Sequence, residues 1–307
     1  MSPVFVVGCH RSGTTVMRRV LNTHPELWLA KETQYLAFLE LRDGDWTRPR
    51  PPAELERHLA WLRPFLTGTG WSTVPGDLPW SEPPTWAGVY RWVCRWECPP
   101  DRALRYWGDN TPRYVSMIPE LDRAFPDARY IHVVRDPRDV VQSALDVWFG
   151  GNTALTAAEE WIERVGAGLA AQHLVGDRLL LVRFEDLLRD PAATTARIAR
   201  FLDVEDRFRP NDTSGDAAEV AGQAHLARVG RPLDPSVIGK WRTALDRDQI
   251  ADVEQLCQPF LRALGYPLDP WQPSWNPTPR FARYTRNYAR SLAVNVGRGV
   301  RRRLGGA

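Results

Sequence analysis

The residues of this sequence with the clearest chemical potential lie close to its start. Gly8 and Gly13 enclose four residues that include Arg11, and two hydroxyl residues, Thr14 and Thr15, follow directly. Such a glycine loop can turn backbone N–H groups toward a ligand, and arginine adds a charged hydrogen-bond donor. We therefore expect this loop to bind an anion of the phosphate or sulfate type.

The sequence on either side of the loop predicts how it is positioned. Residues 4–7 are a continuous apolar run, which is typical of a strand buried on both faces. Val16, Val20 and Leu21 recur behind the loop at helical spacing. The predicted order of strand, loop and helix points the N-terminus of the helix at the bound anion.

The loop fits the spacing of a nucleotide-binding P-loop but departs from it at one position. Thr14 stands where a P-loop NTPase has the lysine that contacts the β- and γ-phosphates. Here Arg11 is the cation, and hydroxyl groups are the neutral donors. That set suits a terminal group with less charge than a triphosphate, held without a metal ion. A purely structural strand-to-helix turn is the alternative at this point.

At these residues the sequence resembles a known family. The 5'-phosphosulfate-binding loop of sulfotransferases that use 3'-phosphoadenosine 5'-phosphosulfate (PAPS) is similar to Arg11-Ser12-Gly13-Thr14-Thr15. The longer run over residues 8–33 is similar to the tyrosylprotein sulfotransferase branch and its bacterial relatives. The resemblance implies an α/β fold, a P-loop-containing three-layer sandwich whose central, mostly parallel sheet is flanked by helices. It also implies PAPS as donor, adenosine 3',5'-bisphosphate (PAP) as product, and no metal.

A carboxylate, Glu32, follows a second predicted strand at Leu27–Ala30. Ligands bind at the C-terminal ends of the strands of an open α/β sheet, so Glu32 is expected at the same sheet edge as the loop. It could accept a proton from an attacking hydroxyl group. It could also be a helix N-terminal residue stabilised by the dipole of a helix over residues 33–41. The resemblance implies the first role, because the family's catalytic base lies in the matching Glu-Thr segment.

A second anion site is predicted in the middle of the chain. Residues 130–134 read as a buried strand, Asp136 as a helix N-cap and Pro137 as the first helical residue. Arg135 and Ser143 would then both face the sheet edge, and a guanidinium with a hydroxyl group is a natural phosphate site. The segment looks like the family's 3'-phosphate-binding motif, which implies that role for Arg135 and Ser143.

A third segment of the predicted nucleotide site lies late in the chain. Residues 225–241 are similar to the family's Gly-x-x-x-Lys-Trp segment, which closes over the cofactor. The resemblance implies that Lys240 binds a phosphate group.

Two positions depart from the family pattern. Residues 108–113 resemble the family's Gly-x-Lys-Thr-Pro segment, but Asn110 replaces the lysine and brings no charge. Arg11, with Arg113 or Lys31, would then neutralise more of the transferring group. Phe184 stands where the family often has tyrosine, so a hydroxyl contact to the nucleotide would be missing.

Length and charge restrict the class of protein. A chain of 307 residues with 43% hydrophobic residues can bury a sizeable core. A net charge of only +3 does not indicate a nucleic-acid-binding protein. We expect one domain over residues 1–270 and a basic extension over residues 271–307. The extension either packs on the domain or contacts an anionic membrane surface, and the chain could form a homodimer.

Residues 43–107 are the least regular part of the chain and are rich in proline and tryptophan. As an insertion after the second predicted strand, this segment is expected near the active edge, where it is a candidate lid over the acceptor. The alternative is that the indole rings pack a small subdomain, and we prefer it for most of them.

The cysteines and the hydropathy pattern lead to an expected location. The four cysteines form no C-x-x-C pair, so we expect reduced thiols. No apolar stretch approaches the ~20 residues of a membrane-spanning helix. The first predicted strand begins at residue 4, which leaves no room for a signal peptide. We therefore expect a cytoplasmic protein.

These observations favour transfer of a sulfuryl group from PAPS to an acceptor hydroxyl, with Glu32 as base and Arg11 as the main cation. The acceptor class stays open among small molecules, glycans and phenols. Two alternatives remain: a sulfotransferase-like nucleotide-binding protein with lost or altered activity, and a P-loop kinase that acts on a small molecule.

Overall fold

The computed structural model describes residues 1–38, 45–68, 71, 73–76, 84–145, 147, 153–212, 231–269, 285 and 289. Five strands form one sheet: β1 (Ser2–Gly8), β2 (Leu27–Ala30), β3 (Tyr106–Asp109), β4 (Arg129–Val134) and β5 (Leu179–Arg183). The strands predicted at residues 4–7, 27–30 and 130–134 are confirmed.

The sheet has the order β2-β3-β1-β4-β5, and each neighbouring pair is parallel. The central strand is therefore β1, the strand that leads into the glycine loop. Its neighbour β3 lies very close, since a Cβ atom added at Gly108 would be 1.7 Å from the carbonyl oxygen of Val4. A parallel sheet flanked by helices confirms the predicted α/β fold.

The helices of the described residues are numbered in chain order. They are α1 (Thr14–Asn22), α2 (Tyr35–Phe38), α3 (Pro52–Gly68), α4 (Trp86–Arg95), α5 (Ile118–Ala124), α6 (Pro137–Leu145), α7 (Ala154–Val175), α8 (Phe184–Arg189), α9 (Pro191–Leu202), α10 (Trp241–Ala244) and α11 (Arg247–Ala263). Short 3-10 turns occur at Pro112–Met117, Gly176–Arg178 and Pro235–Val237.

The helix predicted to begin at Pro137 is confirmed, and two other elements differ from expectation. The helix predicted over residues 33–41 is described only as α2, and residues 39–41 lie outside the described residues. The apolar run over residues 178–184 predicts a strand through Phe184, but β5 ends at Arg183, because Phe184 is the first residue of α8. Apolar periodicity over so few residues does not separate the end of a strand from the start of a helix.

The chain divides into two compact units. The first, here called the sheet unit, comprises Met1–Gly8, Gly13–Val134 and Ala167–Pro235. Its core contains apolar residues of β1 and β3 and the buried leucine face of α3, namely Leu55, Leu59, Leu62 and Leu66. Trp46, Trp71 and Trp86 are buried in this core, which agrees with indole rings that pack a subdomain. The role of residues 43–107 as a lid stays a prediction.

The second unit, here called the helical unit, comprises Cys9–Ser12, Arg135–Gly166 and the described residues from Ser236 onward. The buried side chain of Arg138 connects its helices. It forms ion pairs with Asp136 and Glu254, and its guanidinium lies 4.0 Å from the ring centroid of Trp241. These contacts pack α6 against α10 and α11.

The predicted basic extension over residues 271–307 lies outside the described residues except at positions 285 and 289. Within the described ranges, no helix combines the length and apolar character that crossing a lipid bilayer requires.

Candidate functional site

The glycine loop ends at Gly13, which caps α1 in a left-handed conformation with φ 93°. A Cβ atom added at Gly13 would lie 2.3 Å from the ring of Phe184, so backbone and ring are in close contact. Thr14 and Thr15 form the first turn of α1. Their backbone N–H groups are among those that an α-helix leaves without an internal partner, which suits an anion.

The side chain and the main chain of Arg11 are both held within the helical unit. Its Nε donates a hydrogen bond to Oγ of Ser143 at 2.9 Å. Its carbonyl oxygen accepts a hydrogen bond from Nη1 of Arg135 at 3.1 Å. Three residues that the sequence predicts to bind anions therefore lie in one cluster.

Arg11 also has an unusual backbone conformation, with φ 67°. Residues other than glycine rarely adopt positive φ, and where they do, the surrounding contacts must hold them. The turn is closed by a hydrogen bond from the backbone N of Ser12 to the carbonyl of Cys9 at 3.2 Å. Oγ of Ser12 is buried and has no hydrogen-bond partner among the described residues. It therefore keeps its capacity to bond a ligand.

Lys240 lies in a turn that α6 fixes through Asp139. The buried carboxylate of Asp139 accepts hydrogen bonds from the backbone N of Gly239 at 2.8 Å and of Trp241 at 3.1 Å. Arg135 contributes a longer hydrogen bond from Nη2 to the carbonyl of Val237 at 3.4 Å. The late segment with Lys240 and the segment with Arg135 are thus connected, as the predicted phosphate site requires.

In the sequence, Asp139 reads only as part of the acidic first turn of the helix that begins at Pro137, and this interpretation misses its contacts with the Lys240 turn. Burial raises the pKa of Asp139, whereas Arg135 and the two backbone donors lower it. Its partners lie 100 and 102 residues away in the chain. Local sequence patterns carry no signal for such a contact.

Glu32 follows β2, and its carboxylate lies beside Gln34 in the sheet unit. Nε2 of Gln34 donates a hydrogen bond to Oε2 of Glu32 at 3.1 Å. Glu32 is partly buried. A partly exposed carboxylate held by a neutral donor can serve as a proton acceptor.

Two neighbouring positions bear on the charge of this region. Asn110, at the position where the family has lysine, is buried, and its Oδ1 has no hydrogen-bond partner in the part of the chain described. Nζ of Lys31 forms an ion pair with Oε2 of Glu97 at 3.3 Å. The charge of Lys31 is therefore balanced by a protein carboxylate, which weakens the expectation that it substitutes for the missing lysine.

The residues present fit a nucleotide that carries anionic groups. Within the helical unit, Arg11 and Arg135 are guanidinium donors, and the buried hydroxyl group of Ser12 has no hydrogen-bond partner among the described residues. Among the described residues, no group of three or more His, Cys, Asp or Glu side chains is placed to hold a metal ion. The individual roles of all predicted site residues stay predictions, namely Arg11, Ser12, Gly13, Thr14, Thr15, Glu32, Arg135, Ser143 and Lys240.

Comparisons with known proteins agree with this chemistry. Residues 3–208 match the model of a family described as the sulfotransferase family. Protein-tyrosine sulfotransferase A of Caenorhabditis elegans is 25% identical over 281 residues, which cover 86% of this chain and 67% of that protein. Carbohydrate sulfotransferase 1 of Homo sapiens is 29% identical over 164 residues, which cover 46% of this chain and 39% of that protein.

A solved structure has the same fold over most of the chain. The sulfotransferase domain from the Synechococcus PCC 7002 olefin synthase matches with a TM-score of 0.59 and 25% identity, covering 87% of this chain and 96% of that domain. The resemblance predicted from the glycine loop is thereby confirmed. The chain belongs to the sulfotransferase family.

Proposed function

We propose that this protein transfers a sulfuryl group from PAPS to the hydroxyl group of an acceptor. The observation that carries the proposal is the cluster in which Arg11 of the glycine loop is bonded to both Ser143 and Arg135. A donor with two separated anionic groups needs two such segments close together. A kinase has no use for a second phosphate pocket of this kind.

In the proposed reaction, Glu32 accepts the proton of the acceptor hydroxyl as its oxygen attacks sulfur. The bond between sulfur and the bridging oxygen of the 5'-phosphate breaks, and that oxygen keeps the electron pair. Arg11, Thr14, Thr15 and the backbone N–H groups at Ser12 and Gly13 donate hydrogen bonds where the negative charge develops. Donors placed in advance around such charge usually supply the largest part of the rate enhancement.

The 3'-phosphate of the nucleotide is assigned to Arg135, Ser143 and Lys240. The hydrogen bonds of Asp139 to the backbone at Gly239 and Trp241 support the assignment, because they hold the Lys240 turn in the same unit as Arg135. A guanidinium with a hydroxyl and an ammonium group is a strong donor set for a phosphate dianion.

The test compares nucleotide binding and sulfate transfer in the parent protein and in Glu32→Gln. Isothermal titration should show binding of PAP and little binding of ATP. Radiolabelled sulfate should pass from PAPS to members of a panel of phenols, glycans and alcohols. Loss of the base should reduce transfer by roughly 10²-fold or more without loss of PAP binding. Glu120→Gln, on α5 and paired with Arg123, serves as the matched control.

Three results would contradict the proposal. Preferential binding of ATP would favour the kinase alternative. Binding of PAP without transfer to any acceptor would favour a nucleotide-binding protein with lost activity, an alternative that the uncharged Asn110 and the phenyl ring of Phe184 motivate. Transfer by Glu32→Gln at the parent rate would exclude Glu32 as the base.

A further inference from the structure

We propose that Asp109 is a positioning residue that holds Glu32 through the hydroxyl group of Thr33, an inference that rests on the proposed role of Glu32 as base. Asp109 is the last residue of β3, and β3 pairs with β2, the strand that leads to Glu32. In the register of this pair Asp109 lies opposite Ala30, two residues before Glu32.

The carboxylate of Asp109 is fully buried and accepts hydrogen bonds from two hydroxyl groups. Oγ1 of Thr33 and the phenol of Tyr90 both donate to Oδ2, the latter at 3.0 Å. Because Thr33 is the next residue after Glu32, this bond fixes the main chain directly beside the proposed base.

Thr33 is held from its other side as well. Its Oγ1 accepts a hydrogen bond from the backbone N of Tyr35 at 3.1 Å and lies 3.3 Å from the phenol oxygen of Tyr114. That phenol oxygen accepts a hydrogen bond from the backbone N of Leu36 at 3.0 Å. The start of α2 is thus connected to Asp109 through buried hydroxyl groups, which restricts movement of the segment that carries Glu32.

A second connection reaches the carboxylate of Glu32 itself. The backbone N of Gln34 donates to Oγ1 of Thr111 at 3.3 Å, and the side chain of Gln34 donates to Glu32. Gln34 has φ 49°, a left-handed conformation that a residue with a side chain adopts only when its surroundings hold it. The segment after β3 therefore contacts the Glu32 segment at both Thr33 and Gln34.

Burial of Asp109 is costly, which supports a role other than stability. Burial raises the pKa of its carboxyl group to about 6, against hydrogen bonds from Thr111, Thr33 and Tyr90 that lower it. A buried polar group is unfavourable unless its partners compensate, and an apolar side chain would avoid the cost. A carboxylate at this place is useful because it accepts several hydroxyl donors at once.

The test is a double-mutant cycle between Thr33→Val and Glu32→Gln. Valine keeps the shape of threonine and removes only the hydroxyl group. In the parent background, Thr33→Val should lower kcat for sulfate transfer by roughly tenfold to a hundredfold, the cost of a small misplacement of a catalytic group. PAP affinity, measured by titration, should not change, and Thr33→Ser should restore kcat.

In the Glu32→Gln background, Thr33→Val should cause no further loss of kcat, since the carboxylate that the Thr33 hydroxyl group positions is already absent. An equal loss of kcat in both backgrounds would overturn the inference while leaving the proposed function intact. Failure of Glu32→Gln itself to lower kcat would instead overturn the proposed function. Thr195→Val, which removes a buried hydroxyl group that bonds to Ala192 on α9, is the matched control and should leave kcat unchanged.

Asp109→Leu provides a second variant should Thr33→Val fail to fold. It replaces the carboxyl group with an apolar group of similar shape and removes Oδ2, the oxygen to which both Thr33 and Tyr90 donate. It should lower kcat in the parent background but not in the Glu32→Gln background. A loss of kcat in both backgrounds would again contradict the inference.

Discussion

Nε of Arg11 donates a hydrogen bond to Oγ of Ser143 across 132 positions of the chain. Arg135 bonds to the carbonyl of the same arginine. The loop residue is therefore held at its side chain and its main chain by a segment that begins directly after β4. Such a double connection orients a flexible guanidinium before any ligand arrives, which reduces the entropic cost of binding.

Ser143→Ala should weaken PAP binding without disturbing the fold. The change leaves Nε of Arg11 without this acceptor and removes one hydroxyl from the proposed phosphate site. A hydrogen bond to a charged group contributes roughly 1.5–3 kcal/mol, so the loss of affinity should be about tenfold to a hundredfold. Isothermal titration measures it, and Ser116→Ala, at an exposed serine, is the control. Equal affinity in the two variants would contradict the prediction.

Gly13→Ala should destabilise the protein through two separate effects. Alanine in a left-handed conformation costs about 1–2 kcal/mol, and its methyl group would also collide with the ring of Phe184. Urea unfolding should show the sum of the two. Combining the change with Phe184→Ala should remove only the collision, so the double variant should be more stable than additivity predicts. Simple additivity of the two losses of stability would show that the ring does not restrict position 13.

Asp139→Asn should lower both stability and PAP affinity. Asparagine offers one acceptor oxygen where the carboxylate serves two backbone N–H groups, at Gly239 and Trp241. A buried donor without a partner costs about 1–3 kcal/mol. Thermal unfolding and titration measure the two effects.

The matched control is Asp246→Asn. Asp246 caps α11 by accepting a hydrogen bond from the backbone N of Gln249. Asparagine is as good an N-cap as aspartate, so this variant should keep both stability and affinity. If Asp139→Asn kept the parent affinity despite lower stability, the Lys240 turn would not contribute to nucleotide binding.

The local elements of this protein follow from sequence, and its long-range polar contacts do not. The glycine loop between β1 and α1 and the helix that begins at Pro137 were both predicted, because caps, prolines and apolar periodicity act over a few residues. The contact of Arg11 with Ser143 was not predicted, because the sequence assigned these two residues to separate anion sites of one nucleotide.

The buried carboxylates are the features that sequence reasoning missed. Asp109 reads as one residue of a motif, and Asp139 as part of a helix start. Their partners lie on other elements, so no periodicity or spacing reports them. Burial decides what such a carboxylate does, and burial depends on the assembled fold.

His132 should make stability depend on pH. Burial in the sheet lowers the pKa of its imidazole to about 4 from the usual 6.5, and neither ring nitrogen has a hydrogen-bond partner among the described residues. The unfolded chain then binds a proton below pH 6.5 that the folded protein does not bind until about pH 4. Stability contributed by neutral His132 is therefore present above pH 6.5 and falls as the pH falls.

His132→Leu should remove this part of the pH dependence. Between about pH 7.5 and about pH 5 the parent should lose about 2 kcal/mol more stability than the variant. Urea unfolding of both proteins at the two pH values measures the difference. If the difference in stability between parent and variant were the same at both pH values, His132 would not be buried as a neutral ring.

Gly108 opens the segment that resembles the family's Gly-x-Lys-Thr-Pro motif, and its backbone lies directly against the backbone of Val4. Any side chain there would push apart the two strands that lead to the glycine loop and to Asp109. In this chain the motif thus combines a position that the sheet requires with positions proposed to serve the reaction. A mutational scan of this motif will yield inactive variants of two kinds, and a measurement of folding is needed to tell them apart.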